Sequence, residues 1–429
     1  MRPAERIMER EEYARPFPVH VGVDAGKSFH KLVACGPDGV RTKAERVEVS
    51  RAGFEGALRF LQRTFPDRAP AQMLVAIEFA GHYGYTFAEF LRQAGCVIVT
   101  MPSVVTKRLR EVEDNSPRKD DAKDAAQICK LVRAGLFVNY AALSPLVAQL
   151  RVLATERHRL AVEETRMRIR LQAILDLAWP EFTTHFPHVG AQTPRALLRR
   201  WPVASDVAAA SPRAVLALMK RVSQNHFKAD RAKAFVTAAQ TSVAIHRDAP
   251  ARRAEIHRLL DRWDLLLMQI ETIEAELAVL VAQHPGATAL TTIPEVGVVC
   301  AATLVAEVGT PEGFDSPRQV LKLAGMNLAR RESGTSLRSR LKQTKRGRPL
   351  LRRQLFLLAG RWCRTGAPYH RAFLAMAARN GGSKISAICA LARRLVPMLL
   401  HVMQTGEAFD QRRWDAARVD PFLLPEQAA

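Results

Sequence analysis

The chain has 429 residues, with 64 lysines and arginines against 42 aspartates and glutamates, a formal net charge of +22. That length exceeds one ordinary core and predicts two or three domains. Hydrophobic residues at 48% and charged residues at 25% exclude a disordered polyelectrolyte, and so basic a chain is drawn to polyanions, of which nucleic acid is the commonest.

The excess is graded along the chain: net +4 over residues 1–140, +6 over 141–286 and +12 over 287–429. Charge interrupts the apolar runs short of the ~20 residues a membrane span needs, so no membrane partner is expected. Residues 1–18 are charged throughout and hold no apolar signal-peptide core. The six cysteines form no C-x-x-C pair, which argues against a zinc site or a disulfide framework and for the reducing cytoplasm. The twelve histidines form no H-E-x-x-H cluster.

After the 1–18 extension, Val19, Val21 and Val23 alternate with His20 and Gly22 and lead to Asp24, a strand ending in a carboxylate. A second strand is predicted over Phe29–Cys35, a turn at Gly36–Gly39 and a third strand from Val40 to Val49. Phe54, Leu58 and Leu61 repeat at helical spacing before Pro66. Met73–Ile77 is a short apolar strand that again ends in an acid, Glu78. A helix across Tyr85–Gln93 and a strand at Cys96–Thr100 complete a mixed α/β domain over residues 19–140.

Ligands of open α/β sheets sit beyond the carboxyl ends of strands, which would place Asp24 and Glu78 side by side. Asp121 and Asp124 lie three apart and share a helical face with the apolar Ile128, so a helix packed on the sheet would aim both at the same place. Four converging carboxylates repel one another unless a cation joins them. Mg²⁺ or Mn²⁺, hard ions that take oxygen ligands, fit that donor set and the chemistry of phosphodiester cleavage. In the competing reading, Asp121 and Asp124 are ordinary N-terminal helix acids and Asp24 is a strand-end turn residue.

Two other motifs touch Asp24. Ala25-Gly26-Lys27-Ser28 imitates the end of a P-loop, but Val21 stands where the first glycine is needed and the segment lies between strands. Val23–Ser28 also resembles the first phosphate loop of actin-like ATPases and sugar kinases, which stays as a rival.

Over residues 141–286, Leu146, Leu153, Leu160, Met167 and Ile174 recur every seven residues, with Leu150 and Leu171 at intervening core positions and Arg157 and Glu164 interrupting that second row. A second long helix is predicted from about Ala254 to Gln283. Both read as coiled-coil or bundle helices and suggest an arm or an oligomerisation element. Between them, residues 181–250 read as shorter helices with basic residues such as Arg199, Arg200, Lys220 and Arg221.

Over residues 287–405, Ile293-Pro294-Glu295-Val296-Gly297 leads into an apolar helix Val298–Val308 and resembles the hairpin of helix-hairpin-helix DNA binders. The run Arg330–Arg353 holds ten basic residues and one acid in 24. Its candidates for phosphate neutralisation are Arg330, Arg331, Arg338, Arg340, Lys342, Lys345, Arg346, Arg348, Arg352 and Arg353. Ser333, beside Gly334 in that run, is a candidate nucleophile on a phosphodiester, with arginines to stabilise charge on phosphorus. Residues 406–429 form a tail.

These segments together resemble the DEDD transposases of the IS110 insertion-sequence family. Asp24 in Val-Gly-Val-Asp, Glu78 in Ala-Ile-Glu, and Asp121 and Asp124 in Asp-Ala-Lys-Asp-Ala match its four acids. Further matches are the segment 293–297, Glu307-x-Gly309, Phe314, Leu323-Ala324-Gly325, Ser333-Gly334, Lys345-x-Gly347 with Leu351-Arg352, and the helix around 391–395. Glu295 departs from the family's usual glycine.

The resemblance implies a RuvC-like, RNase H-type N-terminal domain, a helical coiled-coil connector and a mostly helical C-terminal transposase domain. It implies divalent metal on the four acids and a serine, Ser333, that joins covalently to DNA; Ser336 and Ser339 lie close by. It further implies donor and target DNA, a structured guide RNA encoded by the element, and a homo-oligomer, dimer or tetramer, with composite sites. Two rivals are a RuvC-like nuclease that uses water and leaves no protein–DNA link, and a non-catalytic nucleic-acid-binding protein.

Overall fold

The computed structural model describes residues 12–79, 81–113, 121–140, 142–329, 342–367 and 369–412, with backbone alone at 110–113 and 121. The chain divides into two compact units, residues 1–142 and 143–429.

The first unit is built on a mixed sheet. Its strands are β1 (Val19–Ala25), β2 (Phe29–Cys35), β3 (Glu45–Glu48), β4 (Met73–Glu78), β5 (Val97–Thr100) and β6 (Val138–Asn139), in the order β3-β2-β1-β4-β5-β6. β1 pairs antiparallel with β2 and parallel with β4, and β4 is parallel to β5. Alternation sorts β1 between two faces. Val19, Val21, Val23 and Ala25 pack against α1 (Arg51–Thr64) and α2 (Tyr85–Gln93) through Phe54, Leu61, Phe87 and Leu91.

The other face is covered by α3 (Ser103–Glu113) and α4 (Asp121–Arg133); Ile128, Leu131 and Val132 of α4 meet Leu74 and Ala76 of β4 there. Gly22 is what lets α4 down onto β1. A Cβ at this position would lie 2.2 Å from the Cys129 backbone nitrogen and 2.4 Å from the Ala125 carbonyl oxygen. Cys129 Sγ also donates to the His20 carbonyl at 3.3 Å.

The second unit hangs on two 34-residue helices, α5 (Pro145–Ala178) and α11 (Ala249–Ala282). α5 opens where Ser144 Oγ accepts from the Val147 N–H and Pro145 fills the first helical position. Arg157 pairs with Glu274 and Arg170 with Glu255, so the helices run antiparallel. The C-terminal half of α5 and the N-terminal half of α11 close a core with α6 (Phe182–His185), α7 (Gln192–Arg200), α8 (Ala204–Ala208), α9 (Pro212–Val222) and α10 (Ala229–Gln240). Trp179, Phe182, Phe235 and Trp263 are fully buried in it.

The opposite halves join a second core with α12 (Pro285–Leu290), α13 (Val298–Val308), α14 (Pro317–Leu323), α15 (Pro349–Trp362), α16 (His370–Arg379) and α17 (Lys384–Thr405). A two-stranded ribbon, β7 (Leu328–Ala329) with β8 (Lys342–Gln343), projects between α14 and α15 in the chain.

Several sequence expectations need correction. The third strand spans only Glu45–Glu48, preceded by an isolated bridge between Cys35 and Arg41; Gly39 at φ 79 turns the chain away from β2 before pairing resumes. The second long helix begins at Ala249 because Pro250 fits its first turn. The seven-residue row packs in part: Ile174 is buried, and Leu153, Leu160 and Met167 are half-buried against the cores, while α5 buries Val147, Leu150 and Ala154 at one end and Leu171, Leu175 and Ala178 beside Ile174 at the other. Its middle is held by the Arg157 guanidinium on Glu274, with Nε 2.8 Å and Nη2 2.5 Å from Oε1. α17 is long and apolar enough to cross a membrane by length and composition, though Arg393 and Arg394 interrupt it as expected from the sequence. Leu391, Leu395, Leu399 and Met403 place it in the core of the second unit.

The packing of the first unit can be tested at two positions. Gly22→Ala should destabilise it by about 3 kcal/mol, since the obstacle is helix backbone and not a movable side chain; urea unfolding of the full chain measures this. His30 is buried between Phe54 and Phe87, and burial lowers its pKa, partly opposed by the Gly26 backbone. The unfolded state therefore takes up its proton first as pH falls through about 6.5, and folded stability drops there. Melting temperatures between about pH 7 and 5.5 should fall less steeply in His30→Phe than in wild type.

Candidate active site

Asp24 is the penultimate residue of β1 and Glu78 the last of β4. The parallel ladder sets them directly opposite one another, so both project to one face at the carboxyl edge of the sheet. It is the face of Gly22, hence the face that α4 covers.

The direction of α4 follows from its contacts. Cys129 reaches His20, and Ala125 and Cys129 straddle Gly22, so the helix runs against β1 and its first turn lies toward Asp24. Asp124, 4% exposed, immediately precedes Ala125 in that turn. Asp121 is the first residue of α4; its side chain lies outside the described residues.

Glu78 is held from a different element. Thr106 on α3, 1% exposed, donates its hydroxyl to Glu78 Oε2 at 2.6 Å and also reaches the Ser103 carbonyl at 3.2 Å. No motif in the sequence marks Thr106. Its only signal is a polar residue at a position the helix buries.

The four acids fit a hard divalent ion by donor chemistry, since all supply oxygen, and Asp24 and Glu78 lie on the face that the helix bearing Asp124 covers. Among the described residues, no three His, Cys, Asp or Glu side chains are gathered closely enough to hold an ion.

In the second unit, Ser333, Ser336 and Ser339 lie outside the described residues, as do Arg330, Arg331, Arg338 and Arg340. β7 and β8 pair on either side of the 330–341 segment, and below them the Lys345 N–H bonds the Gly325 carbonyl at 2.9 Å and the Arg348 N–H the Leu323 carbonyl at 2.7 Å. Gly347 permits this pinch: a Cβ there would lie 2.3 Å from the Leu323 oxygen. Segments 323–325 and 345–347 therefore fasten each other.

The basic run divides by role. Lys342, Lys345, Arg346 and Arg353 are exposed. Arg348 and Arg352 are half-buried, and Arg348 Nη1 donates to the Glu307 carbonyl at 2.6 Å and Arg352 Nη1 to the Ala324 carbonyl at 2.9 Å. In the insert, Arg199 is bound to Asp261 and Asp264 of α11.

Residues 21–180 match the DEDD transposase model of IS110, described as a transposase, and residues 287–375 match the model described as the transposase IS116/IS110/IS902 family. Together the two matches span more than half of the chain and fall in both of its units. The chain belongs to the IS110 family of DEDD transposases. It is similar along its length to the insertion element IS110 43.6 kDa protein of Streptomyces coelicolor, at 24% identity over 92% of this chain and 96% of that one. The insertion element IS116 44.8 kDa protein of Streptomyces clavuligerus is 23% identical over 91% of this chain and 96% of its own length. The insertion element IS900 42 kDa protein of Mycobacterium paratuberculosis is 26% identical over 93% and 99%.

The transposase is accordingly a DNA strand-transfer enzyme, and membership of a DEDD family implies a divalent metal. Thr106→Val keeps the volume and removes the donor that orients Glu78. The Mg²⁺ concentration for half-maximal DNA cleavage should rise about tenfold or more. An unchanged requirement would take Thr106 out of the site.

Proposed function

We propose that this transposase cuts and rejoins DNA through a serine–DNA intermediate, with Ser333 as nucleophile and Asp24, Glu78, Asp121 and Asp124 as ligands for Mg²⁺ or Mn²⁺ in a RuvC-like domain. One observation carries the reading. Two acids stand in register at the ends of adjacent parallel strands, and the helix bearing the buried Asp124 crosses the same face. Like charges so placed call for a cation.

The Ser333 Oγ attacks a backbone phosphorus; the Oγ–P bond forms as a bond from phosphorus to a sugar oxygen breaks, and that oxygen leaves as a hydroxyl after taking a proton. Reversal by a hydroxyl of another strand rejoins the DNA and frees the serine. A bound divalent ion supplies positive charge against the charge developing on the phosphoryl oxygens. Lys342, Lys345, Arg346 and Arg353, with Arg330, Arg331, Arg338 and Arg340, neutralise neighbouring phosphates. Thr106 holds Glu78 in one orientation while the site acts.

The proposal extends to partners. A structured RNA supplied by the element would choose donor and target by base pairing, leaving the protein to grip backbone; the net charge of +22 supports this division. The chain would act in the cytoplasm as a homodimer or tetramer, with α5 and α11 as a coiled-coil connector between residues 141 and 286 and a transposase domain over 287–405.

A suicide DNA substrate tests the chemistry. Wild-type protein should form a covalent adduct that Ser333→Ala abolishes, and Asp24→Asn should lose cleavage while retaining DNA binding. An adduct that survives Ser333→Ala moves the nucleophile to another residue, Ser336 first. Metal-dependent cleavage with no adduct in wild type would instead make the chain a RuvC-like nuclease.

A further inference from the structure

A cavity of about 360 Å³ lies in the second unit, lined by Pro294, Glu295, Arg361, Trp362, Arg364 and Tyr369 among others. One wall is the turn between α12 and α13. The Val296 N–H bonds the Ile293 carbonyl at 3.0 Å around Pro294 and Glu295, and Glu295 has φ 65. This is a turn with proline at its second position and a left-handed residue at its third, where glycine is the ordinary choice. Trp362 fastens the turn to α15 by donating Nε1–H to the Pro294 carbonyl at 2.8 Å, and it stacks on Tyr369 at 4.8 Å with the rings 2° from parallel.

The strained glutamate has a compensating contact. Arg364 Nη2 donates to its Oε2 at 2.9 Å, and Arg361 Nε lies 3.9 Å from the same oxygen. Two guanidiniums thus face one carboxylate. The Arg361 side chain is about one-third exposed, with Nε and Nη2 turned away from solvent, and the Arg364 side chain is largely exposed. Two guanidiniums gathered on one carboxylate, all three lining an open cavity, are a site for an anion that can take the carboxylate's place.

We propose that this cavity binds a nucleic-acid phosphodiester on Arg361 and Arg364, and that Glu295 is an internal anion which the phosphate displaces. The carboxylate holds the two arginines in place when nucleic acid is absent and lowers affinity by competing for them. The inference rests on the reading of the chain as a nucleic-acid-gripping transposase and assigns a second point of grip outside the 330–353 run.

The test measures binding of the full-length protein to a duplex DNA oligonucleotide and, separately, to a structured RNA hairpin, across a salt series. Glu295→Gln keeps the backbone problem and removes the charge. It should bind tighter, with a log affinity–log salt slope steeper by about 0.9 in whichever arm supplies the phosphate. Arg364→Gln should bind more weakly with a shallower slope, and adding Glu295→Gln to Arg364→Gln should recover less than Glu295→Gln gains alone. Glu312→Gln, which removes an exposed acid elsewhere in the same unit, controls for net charge. Equal effects of Glu295→Gln and Glu312→Gln, or no effect of Glu295→Gln in either arm, would overturn the proposal. Wild type that binds neither nucleic acid would instead overturn the functional reading beneath it.

Discussion

Everything at the acidic site depends on how near the backbone of α4 comes to β1 at Gly22. An aspartate side chain is short, so a carboxylate on a helix can share a site with one on a strand only if helix and sheet come close together. The absent side chain at Gly22, the small Ala125 and the Cys129 bond to the His20 carbonyl together provide that approach. The same approach buries Asp124, and an ionised carboxylate out of water requires positive charge or strong donors to hold it. Packing and site geometry are therefore coupled: the contact that stabilises the layer also carries Asp124 onto the face that bears Asp24 and Glu78.

How much of this was legible in the sequence differs from residue to residue for physical reasons. Asp24 and Glu78 could be read because each is a carboxylate closing a run of buried strand residues, a place where burial alone would favour an apolar side chain; the ladder then sets them in register. The helix Val298–Val308 was bounded by Gly297 and Gly309, and the structure starts and stops it there. The third strand could not be delimited, because strand pairing is set by the partner β2 and not by the propensity of residues 40–49. Thr106 was invisible, since a hydroxyl that orients a distant acid has no local pattern. The long helices show a further limit. A seven-residue count finds the interruption at Arg157 but not its partner, the Glu274 of α11 with which it forms an ion pair.

The charge of the chain also divides once the partners of each arginine are known. Arg348 and Arg352 direct hydrogen bonds to internal carbonyls, Arg199 is held by two acids of α11, and Arg253 is bidentate on Asp206. Such arginines build the second unit, where guanidinium forks tie loops to helix ends. Lys342, Lys345, Arg346 and Arg353 have exposed side chains and remain able to meet phosphate. A formal charge of +22 thus overstates the surface open to a polyanion, and the exposed share beside the ribbon matters more than the total.

The ribbon gives that share its geometry. Segments 323–325 and 345–347 are joined by two backbone hydrogen bonds, Thr344 Oγ1 donates to Asn327 Oδ1 at 2.6 Å, and Arg352 clasps the Ala324 carbonyl. These contacts tie both ends of the 330–341 segment to α14 and α15, whose Val320, Leu351 and Leu355 lie in the core. If Ser333 is the nucleophile, as proposed, it must approach phosphorus along a defined line, and error at its anchor is magnified at its tip. Fixing both ends to one core would limit that error. Glycines 325 and 347 then act through the anchor: a Cβ at Gly347 would part the two segments and shift everything they carry.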